Sequence, residues 1–191
     1  VAGELARSRA YARAIAVETG EILIVGGLDA KDERVTIGTT ELFAPSTRRS
    51  TVLPQTLLGR LNQALTAAWG GRVVVTGGTE WLDDHWNAVS KVDVYLPWPR
   101  TWLRAANMIQ ARSDHGATAL LDGRVFVTGG NYNNRLLRSS EIYDPQRDVW
   151  LPVQPLPRAR TQFSIATLPD GSVLVAGGFQ PDGAMTTTTL I

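Results

Sequence analysis

The sequence predicts an all-β protein assembled from about four tandem sheet units, and three observations carry that expectation. The dipeptide Gly-Gly recurs at Gly26-Gly27, Gly77-Gly78, Gly129-Gly130 and Gly177-Gly178, at spacings of 51, 52 and 48 residues, and a sustained long period marks a repeat architecture. Each pair closes a run of β-formers: Ile22-Leu23-Ile24-Val25, Val73-Val74-Val75-Thr76, Val125-Phe126-Val127-Thr128 and Val173-Leu174-Val175-Ala176. These runs read as buried strands. An arginine stands 17 residues before the first glycine of every pair, at Arg9, Arg60, Arg112 and Arg160. Composition agrees, since 18 glycines, 10 prolines and 6 tryptophans in 191 residues favour turns and bulky inter-sheet wedges over long helices.

The elements of one unit follow in order. Six residues before each glycine pair stands another glycine, Gly20, Gly71, Gly123 or Gly171, preceded by Thr19, Gly70, Asp122 or Asp170. This predicts a two-residue hairpin with positive φ and a strand just upstream. That upstream strand is small and apolar: Ala14-Ile15-Ala16-Val17, Leu65-Thr66-Ala67-Ala68, Ala117-Thr118-Ala119-Leu120 and Ser164-Ile165-Ala166-Thr167. It suits a crowded position. A variable polar stretch follows each glycine pair. Third strands come next, Thr40–Pro45, Lys91–Pro97 and Ser140–Pro145, ended by proline turns. Nine residues after the acidic position of the third strand comes Trp102 or Trp150, with Ser50 in the first unit, in a segment that makes a fourth strand. The approximate units are 1–53, 54–104, 105–156 and 157–191, the last incomplete.

A lone twisted sheet of four strands cannot cover both of its faces, so such units stack face to face. Radial stacking about an axis is the β-propeller solution, with the small-residue strand innermost. The pattern resembles the kelch repeat in its Gly-Gly after the second strand, its Glu141-Ile142-Tyr143-Asp144-Pro145 third strand and its tryptophan in the fourth. The stretch from Leu168 to Gly178 is similar to the bacterial branch of that family, also seen around galactose-oxidase-like enzymes. Departures are local: the first unit lacks the tryptophan, the second has Leu-Pro-Trp-Pro at residues 96–99 where Asp-Pro is usual, and the last stops in its third strand. On one register Val1 stands level with Pro152, and Ile191 near the level of Tyr143. The resemblance implies a ring of six or seven blades, of which these units are part. A four-bladed ring closed by the N-terminal residues, or a half-ring completed by a second chain, stays open beside it. An arc with open end blades is expected to associate, because it exposes apolar faces and strand edges.

Charge and composition narrow the function. Nineteen basic residues against eighteen acidic ones give a net charge of +1, which supplies no electrostatic footprint for nucleic acid. The absence of cysteine removes disulfides, thiolate metal sites and cysteine nucleophiles. No apolar run nears the roughly 20 residues of a membrane-spanning helix, so no membrane insertion is expected. No leader peptide is recognisable from Val1 onward. The compartment is unassigned, and the resemblance favours an extracytoplasmic or secreted one.

Strand alternation puts the link entering the first strand and the link between the second and third strands on one edge of every blade. The latter links run from Leu28 to Thr40, Thr79 to Val92, Asn131 to Ser140 and Phe179 to about Thr188. Loops on a rigid scaffold are where recognition resides. Within them Trp81, Asp83, Asp84, His85 and Trp86 form one candidate contact surface. Asn131, Tyr132, Asn133, Asn134 and Arg135 form a second, with amide and phenol groups suited to carbohydrate or backbone hydrogen bonding. Just beyond the repeated arginine, Tyr11, Asn62, Asp114, His115 and Gln162 occupy equivalent or adjacent places and are expected to converge at a channel mouth. The arginines read as structural ties to carbonyl or carboxylate groups.

No catalytic residue, cofactor or metal is assigned. Asp83, Asp84 and His85 are hard ligands, but neighbours on one loop seldom all face one ion, and His85 and His115 are the only histidines. Galactose-oxidase-like chemistry relies on copper and a tyrosine cross-linked to cysteine, which this chain cannot supply alone. The expected function is noncatalytic: a scaffold that displays loops to a macromolecular partner, a protein before a glycan. The alternatives are a blade segment of a secreted copper oxidase and a self-assembling structural protein, a homo-oligomer.

Overall fold

The computed structural model describes residues 3–29, 31–53, 59–185 and 189–191. The expectations attached to Val1, to the unit boundary at residue 54 and to Thr188 lie outside these residues. Four antiparallel sheets follow one another along the chain, here called blades I to IV. Blade I runs Arg13–Ala16, Ile22–Val25, Glu41–Ala44, Arg49–Val52, and blade II runs Ala64–Ala67, Val73–Thr76, Val92–Leu96, Thr101–Ala105. Blade III runs Gly116–Ala119, Val125–Thr128, Ser140–Asp144, Val149–Val153. Blade IV comprises Ser164–Thr167, Val173–Ala176 and Thr189–Leu190. In each blade the strands pair in chain order as a meander, so that Leu65 lies opposite Val75, Val75 opposite Asp93 and Asp93 opposite Arg104.

The first strands lie side by side, blade I against II, II against III and III against IV. This is the radial arrangement of kelch-type blades, with the alanine-, threonine- and glycine-rich strands at the crowded centre. Alternation along the second strand then sends residues to opposite faces. Val73 and Val75 of blade II pack on Leu23, Val25 and Leu42 of blade I. Val74, between them in sequence, packs with Val125 and Val127 of blade III. Phe126 in turn meets Val173 and Val175 of blade IV. Among the described residues the core is therefore three apolar seams between sheets, and no blade owns one by itself.

The fourth-strand tryptophans wedge these seams. Trp102 packs against Tyr95 with ring centroids 5.2 Å apart, and its indole N–H donates to Thr40 Oγ1 of blade I at 3.3 Å. Trp150 packs against Tyr143 at 5.1 Å and donates to the Ala106 carbonyl of blade II at 2.8 Å. Blade I replaces the wedge with Ser50, whose hydroxyl donates to Glu41 Oε2 at 2.6 Å.

Two local features differ from the expectation. The turn between first and second strands is a three-residue loop, not a two-residue one: Val17 N–H donates to the Glu21 carbonyl and Gly20 N–H to the Val17 carbonyl, both at 2.9 Å. The same pattern recurs at Leu120–Arg124 and Leu168–Ser172. A type I turn followed by one left-handed residue needs a single glycine, which is why the glycine alone is repeated. The variable stretches after the glycine pairs are also more ordered than loops. Blade II carries a hairpin of Thr79–Leu82 with His85–Ala88, and blade III one of Asn131–Tyr132 with Arg135–Leu136. In blade I, Leu28–Asp29 pairs with both Arg9–Ala10 and Asp32–Thr36.

Gly130 shows why the pair is glycine. Its φ is +96°, and a Cβ there would stand 2.6 Å from the Ser113 carbonyl oxygen and 2.7 Å from the His115 Cβ. Gly20 also has positive φ, at +81°, but has nothing within 4 Å of that point. Gly130→Ala is expected to lower the unfolding free energy by about 3 kcal/mol or more, against about 1 kcal/mol for Gly20→Ala, whose only cost is conformational. Denaturant midpoints of the two variants check this; equal losses would contradict the close approach.

Candidate functional site

The site is built on the repeated arginine. Arg112 Nη1 donates to the carbonyls of Gly129 at 2.7 Å and Ser139 at 3.0 Å, while Nη2 donates to Glu141 Oε1 at 2.8 Å. Arg9 makes the same set with Gly26, Thr39 and Glu41 at 2.9, 3.0 and 2.6 Å. Arg60 makes it with Gly77, Lys91 and Asp93, and Arg160 donates to Gly177. One guanidinium thus ties the start of a blade to its own glycine pair and to its own third strand. Burial pulls Arg60 and Arg112 below the ordinary guanidinium value, opposed by Asp93 and Glu141 respectively. Both remain cations, as arginine does in proteins.

The arginine backbone then joins blades. The second glycine of each pair donates its N–H to the next blade's arginine carbonyl: Gly27 to Arg60 at 3.4 Å, Gly78 to Arg112 at 2.9 Å and Gly130 to Arg160 at 2.8 Å. Two residues beyond the arginine, Tyr11, Asn62, Asp114 and Gln162 adopt the same left-handed conformation, with φ of 57°, 55°, 51° and 54°. Asp114 N–H donates to the Asn62 carbonyl at 3.0 Å, and Gln162 N–H to the Asp114 carbonyl at 3.1 Å. Asn62, Asp114 and Gln162 are therefore strung on a backbone chain running from blade to blade.

Above this chain stands the row of outer hairpins. Asp83-Asp84 and Asn133-Asn134 form their tips with paired positive φ values, the turn whose twist matches a hairpin and which Asn and Asp tolerate. Trp81 and Trp86 face each other across the first hairpin, edge to face at 5.2 Å. Asn133 Oδ1 accepts the Ala88 N–H at 3.1 Å and so links the two hairpins.

Between hairpins and mouth lies a cleft of about 270 Å³, lined by Asn62, Asp114, Trp86, Asn133 and Asn134 among the residues singled out from sequence. A second hollow of about 330 Å³ adjoins it, where Tyr11 joins Asn62 and Trp86. Trp86 stands at the border of both. Gln162 is exposed at the next seam, outside these two linings. His115 is buried between blades, with Nε2 2.8 Å from Thr76 Oγ1. Burial, then the nearby Arg112, Arg60 and Arg13, hold it well below the usual histidine range and neutral. Asp83, Asp84, His85, Tyr132 and Arg135 sit exposed at the hairpin tips, where His85 Nδ1 lies 2.8 Å from the Asp83 carbonyl oxygen.

The lining also includes Asn131, the first residue of the second candidate loop, and Leu61, Thr79 and Ser113, which sequence reasoning passed over. A signal was present. The residue after each glycine pair bridges the residue after the arginine, as Leu61 with Thr79, Ser113 with Asn131 and Thr161 with Phe179. All three pairs share one spacing along the chain, and Ala10 with Leu28 repeats it as a strand pair. Asn131 Oδ1 is buried and accepts no hydrogen bond from the described residues.

Fold and seams define a repeat protein of propeller-type blades. Its third blade matches the Kelch motif over residues 111–157, and the other blades repeat that blade's glycines, arginine and third-strand register. A comparison with curated proteins gave no match.

Two predictions follow from these bonds. Removing one partner of a buried pair leaves the other uncompensated, so Arg112→Met is expected to lower the unfolding free energy by about 3–5 kcal/mol. Chemical denaturation checks it, and a loss below about 1 kcal/mol, the size of an exposed ion pair, would contradict the clamp. Burial holds the Asp114 carboxyl above its usual range, opposed by the Ser113 hydroxyl bond and the field of Arg13. A folded value above the unfolded one contributes stability at acid pH that is lost as pH rises through it, so ionised Asp114 is a cost at neutral pH. Asp114→Asn is expected to melt at the same or a higher temperature at neutral pH, the gap closing below about pH 4. Melting curves across pH read this, and a lower melting temperature at neutral pH would contradict it.

Proposed function

We propose that the chain is a noncatalytic binding scaffold that holds a segment of a protein partner on the hairpin face, centred on the cleft between blades II and III. The carrying observation is Trp86: a half-buried indole at the border of two adjoining hollows, rimmed by Asn62, Asp114 and Asn133 from separate segments. Aromatic anchors in such positions dominate interface energies. The walls are held by backbone hydrogen bonds and tight turns, so little ordering cost falls on binding. Kelch motifs are commonly protein-interaction scaffolds, which supports a protein over other partners.

A glycan is the second reading, favoured by the amides of Asn62, Asn131, Asn133 and Asn134 around one indole.

Selection of a random twelve-residue peptide display library on the immobilised chain tests the proposal, with a glycan array run beside it. Enriched peptides are expected to bind Trp86→Ala at least about 10-fold more weakly. They should bind Trp98→Ala unchanged, since Trp98 is 75% exposed on the opposite blade edge. Dependence on Trp98 instead, or enrichment of glycans alone, would overturn the protein reading.

A further inference from the structure

We infer that the cleft between blades II and III receives a basic side chain of the partner, its cationic head on Asp114 and Asn131 and its stem along Trp86. This rests on the hairpin-face reading and adds the chemistry of the contact. Of the four equivalent mouth positions, Tyr11, Asn62, Asp114 and Gln162, only Asp114 is charged. Its backbone is fixed on both sides, by the bond to Asn62 and the bond from Gln162. Its carboxylate takes a 3.3 Å bond from the Ser113 hydroxyl and forms no ion pair among the described residues.

The cleft also holds a carboxylate and an unmet amide oxygen, both of which call for a donor. Asn131 Oδ1 is buried without a hydrogen bond among the described residues, and a buried acceptor left unmet is costly. A guanidinium or ammonium brings donors only, up to five for arginine, and its charge meets a carboxylate that burial has left under-solvated. The indole of Trp86 supplies the wall on which such a cation and its methylene stem pack. A neutral sugar hydroxyl brings one donor and two acceptor lone pairs and leaves the carboxylate's charge unbalanced.

The charged groups around Asp114 are few. Arg13, on the first strand of blade I, is exposed and acts on it through space. Arg112 is engaged with Glu141, and His115 is held neutral. Arg13 is therefore the cation that an incoming basic side chain must outcompete or repel.

The test titrates the full chain with acetyl-Gly-Ser-X-Ser-Gly-amide peptides in which X is arginine, lysine, glutamine or glutamate. Resonances of the Trp86 indole and the Asn131 and Asn133 side-chain amides are followed. The arginine peptide is expected to bind about 10-fold more tightly than the glutamine peptide, a preference that Asp114→Asn erases. Arg13→Ala is expected to tighten the arginine peptide about 2-fold or more by removing a like charge. Asn suits a left-handed backbone as Asp does, so Asp114→Asn keeps the fold, which its melting curve verifies. Equal binding of the arginine and glutamine peptides, or an arginine preference that survives Asp114→Asn, overturns the inference and leaves the hairpin-face reading standing if the peptides still shift Trp86. If neither these peptides nor any display-selected sequence perturbs the cleft, while a neutral oligosaccharide such as chitotriose does, both fall.

Discussion

A guanidinium locked onto a glycine carbonyl and a third-strand carboxylate is the constraint from which the rest of this structure follows. Each blade is a sheet whose strands pair only with their sequence neighbours, so nothing in the ladder itself fixes where the incoming chain must start. The arginine does that. Its head binds the blade's own glycine turn and third strand, while its backbone carbonyl accepts the N–H of the preceding blade's second glycine. One residue type thus sets the geometry within a blade and the distance between blades. The glycines are the matching half, because a side chain at Gly130 would strike the Ser113 carbonyl. Buried ion pairs often contribute little net stability against an apolar replacement, and the Nε atoms of Arg9 and Arg112 are buried without a hydrogen bond among the described residues. The clamp is better understood as a specifier of register, with the seams of valine, leucine and tryptophan providing the driving force.

That rigidity has a functional side. Four residues follow the arginines by two positions with left-handed backbones, and bonds between blades hold those of Asn62, Asp114 and Gln162. The hairpins above them are joined by the Asn133 amide. A cleft formed this way has walls from several segments whose relative placement is set by the seams, and its side chains can change without disturbing them. Tyr11, Asn62, Asp114 and Gln162 illustrate that freedom: one backbone position, four different chemistries.

Much of this was legible in the sequence. The second strands fall at the runs before the glycine pairs, because continuous apolar residues ended by positive-φ glycines leave few other readings. The third and fourth strands follow from the proline turns and the tryptophan spacing. The outer hairpins were not read, since Asp83-Asp84 and Asn133-Asn134 are less familiar hairpin tips than Asn-Gly, and the flanking residues of Trp81 and Trp86 lack a clean alternation. The three-residue turns were missed because a single glycine fits more than one loop length. At the site, position along the repeat identified Asn62 and Asp114 but could not orient the neighbouring side chain: His115 points into the seam toward Thr76 and not into the cleft. Leu61, Thr79 and Ser113 were visible only through a pairing distance shared by all four blades, a signal that emerges once the bridge between the arginine segment and the glycine segment is known.

The most direct test of the arginine seam is native-state hydrogen exchange of the Gly78 and Gly130 amides, each of which donates to the next blade's arginine carbonyl. If those bonds hold the blades in register, both amides exchange only through global unfolding, as slowly as the Val74 and Phe126 amides of the central strands. Exchange at the pace of the exposed Gly20 turn would mean that the seams open freely and that the arginines do not fix the stacking.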